Sequence, residues 1–460
     1  MHLNSIRAGL MCLFCPALSV AADAVTPSVF DHWTATHKLT LEATYLESDT
    51  LNPTQSLSHS VKYEGYFRYF NGDENWPDWE VMLRPWLVSA AEDRQFQLFS
   101  TGGTQFEGEY VELREFYYQH NRVFGDPAYT LRIGRQQYQG DYGLWWDDSI
   151  ESVSLAFDET NIGGFIALGQ KFHSYNVGLD GDVNELSAAE RDIFYVFGEF
   201  WKEPRAGLRY GVRTVYQYDV SAPNDNSDLS DFHGVKLGGF IQQKNPDQSP
   251  GFDYYLDAAV LTGKHQHVNS GGLINDTVNT FGWQVLGEVG YSFAQPVSRD
   301  RLAFRLGVTD SPDSRFGGSK LLEIQSDRVT NNGRYSTSLA GSFLDIRFSN
   351  ILFAGATYRR FVSARNSIEV MVFDLYQRNK DLPLSASIGD RYDNGLDTGE
   401  GDHIGQLVDV FYSGRIFPYA YEQKRITFDY LASAGYFHNE NAIGRSVNDY
   451  QVSIGINIRY

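Results

Sequence analysis

Segments of about ten residues with a period of two, separated by turn residues, run from His37 to the end of this 460-residue chain. The last of them makes the constraint plain. From Tyr450 to Tyr460, large side chains stand at Tyr450, Val452, Ile454, Ile456, Ile458 and Tyr460, and small or polar ones at Gln451, Ser453, Gly455, Asn457 and Arg459. Successive side chains of a strand point to opposite faces, so this segment has one oily face and one wet face. About eleven residues suffice for a tilted strand to cross a bilayer. One such strand fits a soluble sandwich equally well, so its recurrence has to decide.

The pattern does recur. Val61, Tyr63, Gly65, Phe67 and Tyr69 face away from Lys62, Glu64, Tyr66 and Arg68. Leu208, Tyr210, Val212, Thr214, Tyr216 and Tyr218 alternate with Arg209, Gly211, Arg213, Val215 and Gln217. Pro85 interrupts the segment around Trp79 to Leu83 and predicts a bulge there. The count comes to about 18 strands, even as in bacterial single-chain barrels; the weakly alternating stretch 338–348 is read as loop. Links alternate between short ones, such as Glu159-Thr160, Glu203-Pro204 and Val362 to Arg365, and long polar ones near 46–58, 90–108, 310–349, 379–402 and 438–449. These features predict an all-β transmembrane antiparallel β-barrel with short periplasmic turns and long extracellular loops. No fixed-period repeat or low-complexity linker divides the chain, so residues 23–460 are expected to form one domain.

The remainder narrows the location. Arg7 followed by the apolar run Ala8 to Val20 and small residues reads as a secretory signal peptide over residues 1–22. Both cysteines, Cys12 and Cys15, lie inside it, leaving a mature chain without thiol chemistry or disulfides. No apolar run approaches the roughly 18 residues of a spanning helix. A formal charge of -20 argues against nucleic acid as a partner. No nucleophile elbow or comparable motif joins the serines, histidines and acids, so catalysis is not expected, nor a cofactor or metal; His265 and His267 read as solvated loop residues.

A barrel this wide is expected to be wet inside, so the inward faces set selectivity. They carry Lys62, Arg68, Arg84, Arg114, Arg132, Arg209, Arg213, Arg305 and Arg359, with acids such as Glu112, Asp257, Glu288 and Asp409 between them. Arginine presents a planar charged fork matched to carboxylates, and rings of cations mark anion pores. For any one arginine, pairing with a lumen acid to brace the wall is the plainer reading; for the set, an electropositive stretch is expected. Parity is open at Glu112 to Glu115 and at Tyr358 to Arg360, because one bulge swaps faces. Arg459 is expected inside the periplasmic mouth. Trp145 and Trp146, beside Asp147 and Asp148, read equally as membrane-interface anchors or as a loop platform for sugar rings.

Several runs add a resemblance. Leu113-Arg114-Glu115-Phe116, Leu131 to Gln136 and Gly143-Leu144-Trp145-Trp146-Asp147, then Ser349-Asn350-Ile351, Asp374-Leu375-Tyr376 and His403 to Asp409, look like the bacterial alginate export family. The match is discontinuous but keeps its order over most of the mature chain. The resemblance implies an 18-stranded outer-membrane barrel that exports the polyuronate alginate through a pore lined with arginines, lysines and a few carboxylates. It makes Arg114 and Asp147 the firmest pore-lining candidates. Gln137 stands where that family commonly has a basic residue. The turn from Ser413 to Gln423 is short for a family in which such a segment can act as a plug. An anionic polysaccharide is the expected cargo, with outer-membrane lipid, lipopolysaccharide and periplasmic secretion proteins as neighbours of a monomeric barrel. A diffusion porin for small anions or sugars is the alternative.

Overall fold

The computed structural model describes residues 32–460 apart from 49–53, 91–107, 171–175, 179–192, 221–229, 245–249, 269–273, 295–298, 315–316, 323, 326–327, 332–334, 343–347, 364, 383–400, 422–423 and 440–446. The expected signal segment, 1–22, lies outside the described residues. The strands, in order, are β1 (Trp33–Ser48), β2 (Thr54–Gly72), β3 (Pro77–Ala90), β4 (Gly108–Asn121), β5 (Tyr129–Gln139), β6 (Asp147–Asp158), β7 (Ile162–Gln170), the three-residue β8 (Asn176–Gly178), β9 (Ile193–Arg205), β10 (Leu208–Asp219) and β11 (Ser230–Gln243). They continue as β12 (Gly251–Val268), β13 (Ile274–Ala294), β14 (Arg299–Thr309), the short β15 (Arg328–Asn331) and β16 (Tyr335–Ser338), β17 (Ile351–Phe361), β18 (Ser367–Gln377), β19 (His403–Tyr421), β20 (Lys424–Asn439) and β21 (Val447–Arg459). Without β8, β15 and β16, 18 strands make a closed antiparallel wall.

Closure follows from the last strand. β21 pairs with β1 from Lys38↔Arg459 to Ser48↔Asp449, and His37 and Tyr460 exchange backbone hydrogen bonds of 2.7 and 2.8 Å. Neither edge of the sheet is left to pair with another chain. Val452, Ile454 and Ile456 point outward to lipid, whereas Gln451, Ser453 and Asn457 are buried inside. At the periplasmic end Trp33, Tyr69, Trp79 and Tyr118 touch in sequence, with ring centroids 5.1, 5.6 and 6.2 Å apart, an aromatic belt at the interface.

Two boundaries differ from the sequence reading. Strands extend further outward than expected, so that the loop after β1 shrinks from 46–58 to residues between Ser48 and Thr54. Likewise β19 and β20 stay paired from Gly405↔Asn439 to Tyr421↔Lys424, which makes most of the supposed turn from Ser413 strand. At the β1–β2 end the residues are polar and look like loop in sequence, yet their backbones still gain from pairing. The bulge anticipated at Pro85 is present: Arg84 pairs with Glu115 and Pro85 with Leu113, skipping Arg114. That skip settles the open parity, because Glu112, Arg114 and Glu115 all reach the interior.

One further irregularity of the wall reshapes the lumen. β4 pairs with β5 only from Phe116 to Asn121, while its outer half pairs with β8 instead. On the other side, β6 pairs with β7 only from Glu151 downward. The outer part of the β5–β6 hairpin is thereby detached from both neighbours and turns into the lumen as a tongue. Gly134 stands at the bend with φ 130°, and a Cβ there would lie 2.4 Å from the Phe116 carbonyl oxygen. Side chains bridge the seam: Arg135 Nε donates to Leu113 O at 2.9 Å, and the Gln137 N–H donates to Glu115 Oε1 at 3.2 Å.

Candidate functional site: the barrel interior

The periplasmic and middle parts of the lumen hold ion pairs. On the β1–β4 wall, Glu64 accepts from Lys38 Nζ at 2.8 Å and from Arg84 Nη2 at 2.9 Å, with Lys62 Nζ at 3.2 Å. Arg84 also donates to Glu115 Oε2 at 2.9 Å and to Gln137 Oε1 at 2.6 Å. A basic residue at 137 could not accept that bond, which gives the glutamine a local reason. Arg114, 0% exposed, donates to Glu112 at 3.2 Å and to Asp148 at 3.4 Å. Arg135 pairs with Glu151 at 2.8 Å. The Trp86 ring gathers the cations: Lys62 Nζ lies 4.1 Å, Arg114 5.0 Å and Arg84 5.4 Å from its centroid.

The opposite wall repeats the arrangement. Arg213 donates to Asp257 Oδ2 at 2.9 Å and to Tyr255 OH at 3.1 Å, and also pairs with Glu199. Glu288 joins Arg305 and Arg301, each at 2.7 Å, and Arg301 also pairs with Asp253. Arg359 meets Glu369 with two bonds of 2.9 and 3.0 Å, so its side chain is inward. Nearer the periplasm, Arg68 pairs with Glu80 and Arg209 with Glu203 at 3.2 Å, the Arg209 guanidinium lying 4.0 Å over Trp201. These arginines therefore each meet a carboxylate, the plainer of the two readings for any single one.

Arg132 and Arg459 differ. Arg132 is exposed, bound to the Gln119 amide and 5.5 Å over the Tyr117 ring. Arg459 is exposed at the periplasmic mouth. Among the described residues neither has a carboxylate within ion-pair distance. Lys236 likewise has no carboxylate within ion-pair distance but is fully buried: its Nζ donates to Leu144 O at 2.9 Å and to Gln325 Oε1 at 3.2 Å. Sequence reading missed Lys236 because nothing in strand parity says that a loop carbonyl will come to meet it.

The outer half of the lumen is not wet as expected. Trp145 and Trp146 are 2% and 5% exposed and lie in the tongue, inside the barrel, so neither is a lipid-interface anchor. Trp145 Nε1 donates across the lumen to Asp257 Oδ2 at 2.9 Å, and Tyr142 stacks on Tyr255 at 4.3 Å. Burial in this apolar setting pushes the Tyr142 hydroxyl up. Trp146 packs edge-on to Phe165, 5.1 Å between centroids. A second inward segment, between β14 and β17, brings Leu322, Ile324, Leu339, Ala340 and Phe348 against Phe353, Phe373, Leu407 and Phe411 of the wall. Of the stretch read as loop, 338–348, the described residues 338–342 and 348 form no wall strand and belong to this insert. Arg305 Nη1 donates to Leu339 O at 2.6 Å and the Ser342 N–H to Asp409 Oδ2 at 2.6 Å, while Tyr335 OH donates to Glu369 at 2.6 Å. The two segments meet where the Asp147 N–H donates to Ile324 O at 2.8 Å. Asp147 is therefore buried inside and covered.

His265 is not in a loop. It lies on β12, buried, with Nε2 2.7 Å from Lys320 Nζ of the insert. Among the described residues no group of three His, Asp or Glu side chains is placed to hold a metal ion.

No protein-family model matches the sequence. A stretch of 115 residues is 30% identical to the alginate production protein AlgE of Pseudomonas syringae pv. tomato, spanning 25% of this chain and 22% of that protein. Among solved structures, OccAB1 of Acinetobacter baumannii superposes with a TM-score of 0.53 at 10% identity, over 92% of this chain and 96% of that one. OpdQ of Pseudomonas aeruginosa gives 0.52 at 10% identity, over 93% and 98%. At such identity these likenesses establish the fold alone. The chain is thus a closed 18-stranded antiparallel barrel of the bacterial outer-membrane type, similar over 115 residues to the alginate production protein AlgE.

Proposed function

We propose that this barrel exports an anionic exopolysaccharide, most simply alginate or a similar polyuronate. The observation that carries this reading is the ladder of arginine–carboxylate pairs along the inner wall, from Arg68 at the periplasmic end through Arg84, Arg114 and Arg213 to Arg305. A polyuronate carries one carboxylate per sugar. Each step of translocation lets a polymer carboxylate replace a protein carboxylate on a guanidinium that is already oriented. The displaced acid stays nearby and competes for its partner, so binding remains weak enough to leave. Arg132 and Arg459, without carboxylates, would receive the chain at the periplasmic mouth. Passage requires the tongue and the insert to move aside. Transport rather than catalysis is the reading. Residues 1–22 would direct the chain across the inner membrane and 23–460 would form a monomeric barrel among lipid and lipopolysaccharide, with secretion proteins docking on its periplasmic turns.

The second reading, a diffusion channel for small anions or sugars, draws on the Trp145–Asp257 contact, which narrows the lumen. Planar-bilayer recording separates the two. An exporter of polyuronate shows current block by uronate oligomers, stronger than by neutral oligosaccharides of equal length. A cation-selective pore that uronate oligomers leave unblocked would sink the export reading.

A further inference from the structure

The periplasmic turns carry a feature that the lumen ladder does not use. Trp76, in the turn between β2 and β3, is 70% exposed and lies beyond the aromatic belt of Trp33, Tyr69, Trp79 and Tyr118. It stands between two hollows. One, of about 190 Å³, is lined by Arg68, Gln119, Asn121 and Arg122; the other, of about 660 Å³, opens along the turns at Asp126 to Ala128 and Asp158 to Ile162. The smaller hollow is built rather than incidental. Asn121 Nδ2 donates to Pro77 O at 2.8 Å, Gln119 Nε2 donates to Asn121 Oδ1 at 2.9 Å, and the Gln119 carbonyl in turn holds the Arg132 guanidinium. Arg132 keeps its remaining donors without a carboxylate, and Arg122 is half-exposed in a single 3.3 Å pair with Asp78.

We propose that Trp76, with Arg68, Arg122, Gln119 and Asn121 lining the hollow and Arg132 held behind Gln119, forms an entry subsite for an acidic sugar at the periplasmic mouth. An exposed indole face receives the apolar face of a pyranose ring. Amides serve its hydroxyls, and a guanidinium with free donors takes its carboxylate. The volume of the smaller hollow suits one sugar residue, and the larger hollow lets the chain continue outward along the turns. Capture at the rim precedes the ladder and aligns the chain end with Arg68, whose pair with Glu80 is the ladder's first rung. This proposal rests on the polyuronate reading of the lumen.

The test is one-sided block in planar bilayers, with the purified barrel inserted in one orientation and a uronate hexamer added to either chamber. In the wild type, block from the turn side is expected to begin faster than from the loop side. Trp76→Ala should slow the turn-side on-rate about 2- to 10-fold and leave the loop-side rate unchanged, while Trp76→Tyr retains most of it. Arg132→Gln should weaken turn-side block by the hexauronate but not by a neutral hexasaccharide. Wild-type turn-side kinetics in Trp76→Ala, or equal slowing from both sides, would overturn the subsite while leaving the export reading intact. A wild-type channel that the hexamer blocks from neither side would overturn both.

Discussion

Replacing Trp145 by Phe tests whether the tongue is a latched, movable element. The substitution keeps an aromatic ring near Lys236, whose Nζ lies 5.1 Å from the Trp145 centroid, and removes the Nε1 donor that reaches Asp257 at 2.9 Å together with the volume of the second indole ring. Asp257 is not orphaned, because Arg213 and the Tyr255 hydroxyl still donate to it at 2.9 and 3.0 Å. The loss is at least one buried hydrogen bond to a charged acceptor, about 1.5–3 kcal/mol, and the vacated ring volume acts in the same direction. That raises the population of the released tongue roughly 10- to 150-fold. Single-channel recording reads it as a larger fraction of time in the high-conductance state, and Lys236→Met, which frees the Leu144 carbonyl, should act in the same direction. Trp145→Phe and the double variant both showing wild-type conductance and noise would refute the latch.

Glu64→Gln removes the carboxylate shared by Lys38, Lys62 and Arg84 without changing side-chain shape; breaking these buried pairs should cost about 3–5 kcal/mol, seen as a lower unfolding midpoint, and should move the reversal potential toward anions. Gly341 has φ 136°, and a Cβ there would sit 2.3 Å from Asp409 Oδ2; Gly341→Ala should add about 1–3 kcal/mol of backbone strain, lift the insert from the wall and raise conductance, whereas unchanged conductance would show the insert does not narrow the pore. Burial lowers the Lys320 ammonium to about 8, below its unfolded value, so the docked insert binds fewer protons than the released one. Docking should therefore be weakest and constant below pH 8, and strengthen as pH rises from about 8 toward 10.5; conductance recorded across that range should fall in the wild type and stay flat in Lys320→Met.

The wall was legible in the sequence because lipid imposes a strict period of two. Val452, Ile454 and Ile456 could be assigned to one oily face from residue type alone, and in the closed wall that face points outward. Inside, parity says which side chains enter the lumen but not which meet. Arg213 finds Asp257 two strands away, and Arg84 finds Glu64 on one side and Glu115 on the other, through a register that only the folded sheet defines. The bulge at Pro85 was signalled by proline, which removes a ladder donor. The tongue had no such signal. Leu144, Trp145, Trp146 and Ile150 are apolar enough for a lipid interface or for a buried core, and only the early end of pairing at Phe116 and Glu151 sends them inward.

Whether an acidic polysaccharide leaves the cell through this barrel is decided by deleting its gene in the source bacterium and assaying uronate polymer. Secreted polymer is expected to fall, uronate to accumulate or be degraded in the periplasm, and the wild-type gene to restore secretion. Undiminished polymer in the medium of the deletion strain would contradict it.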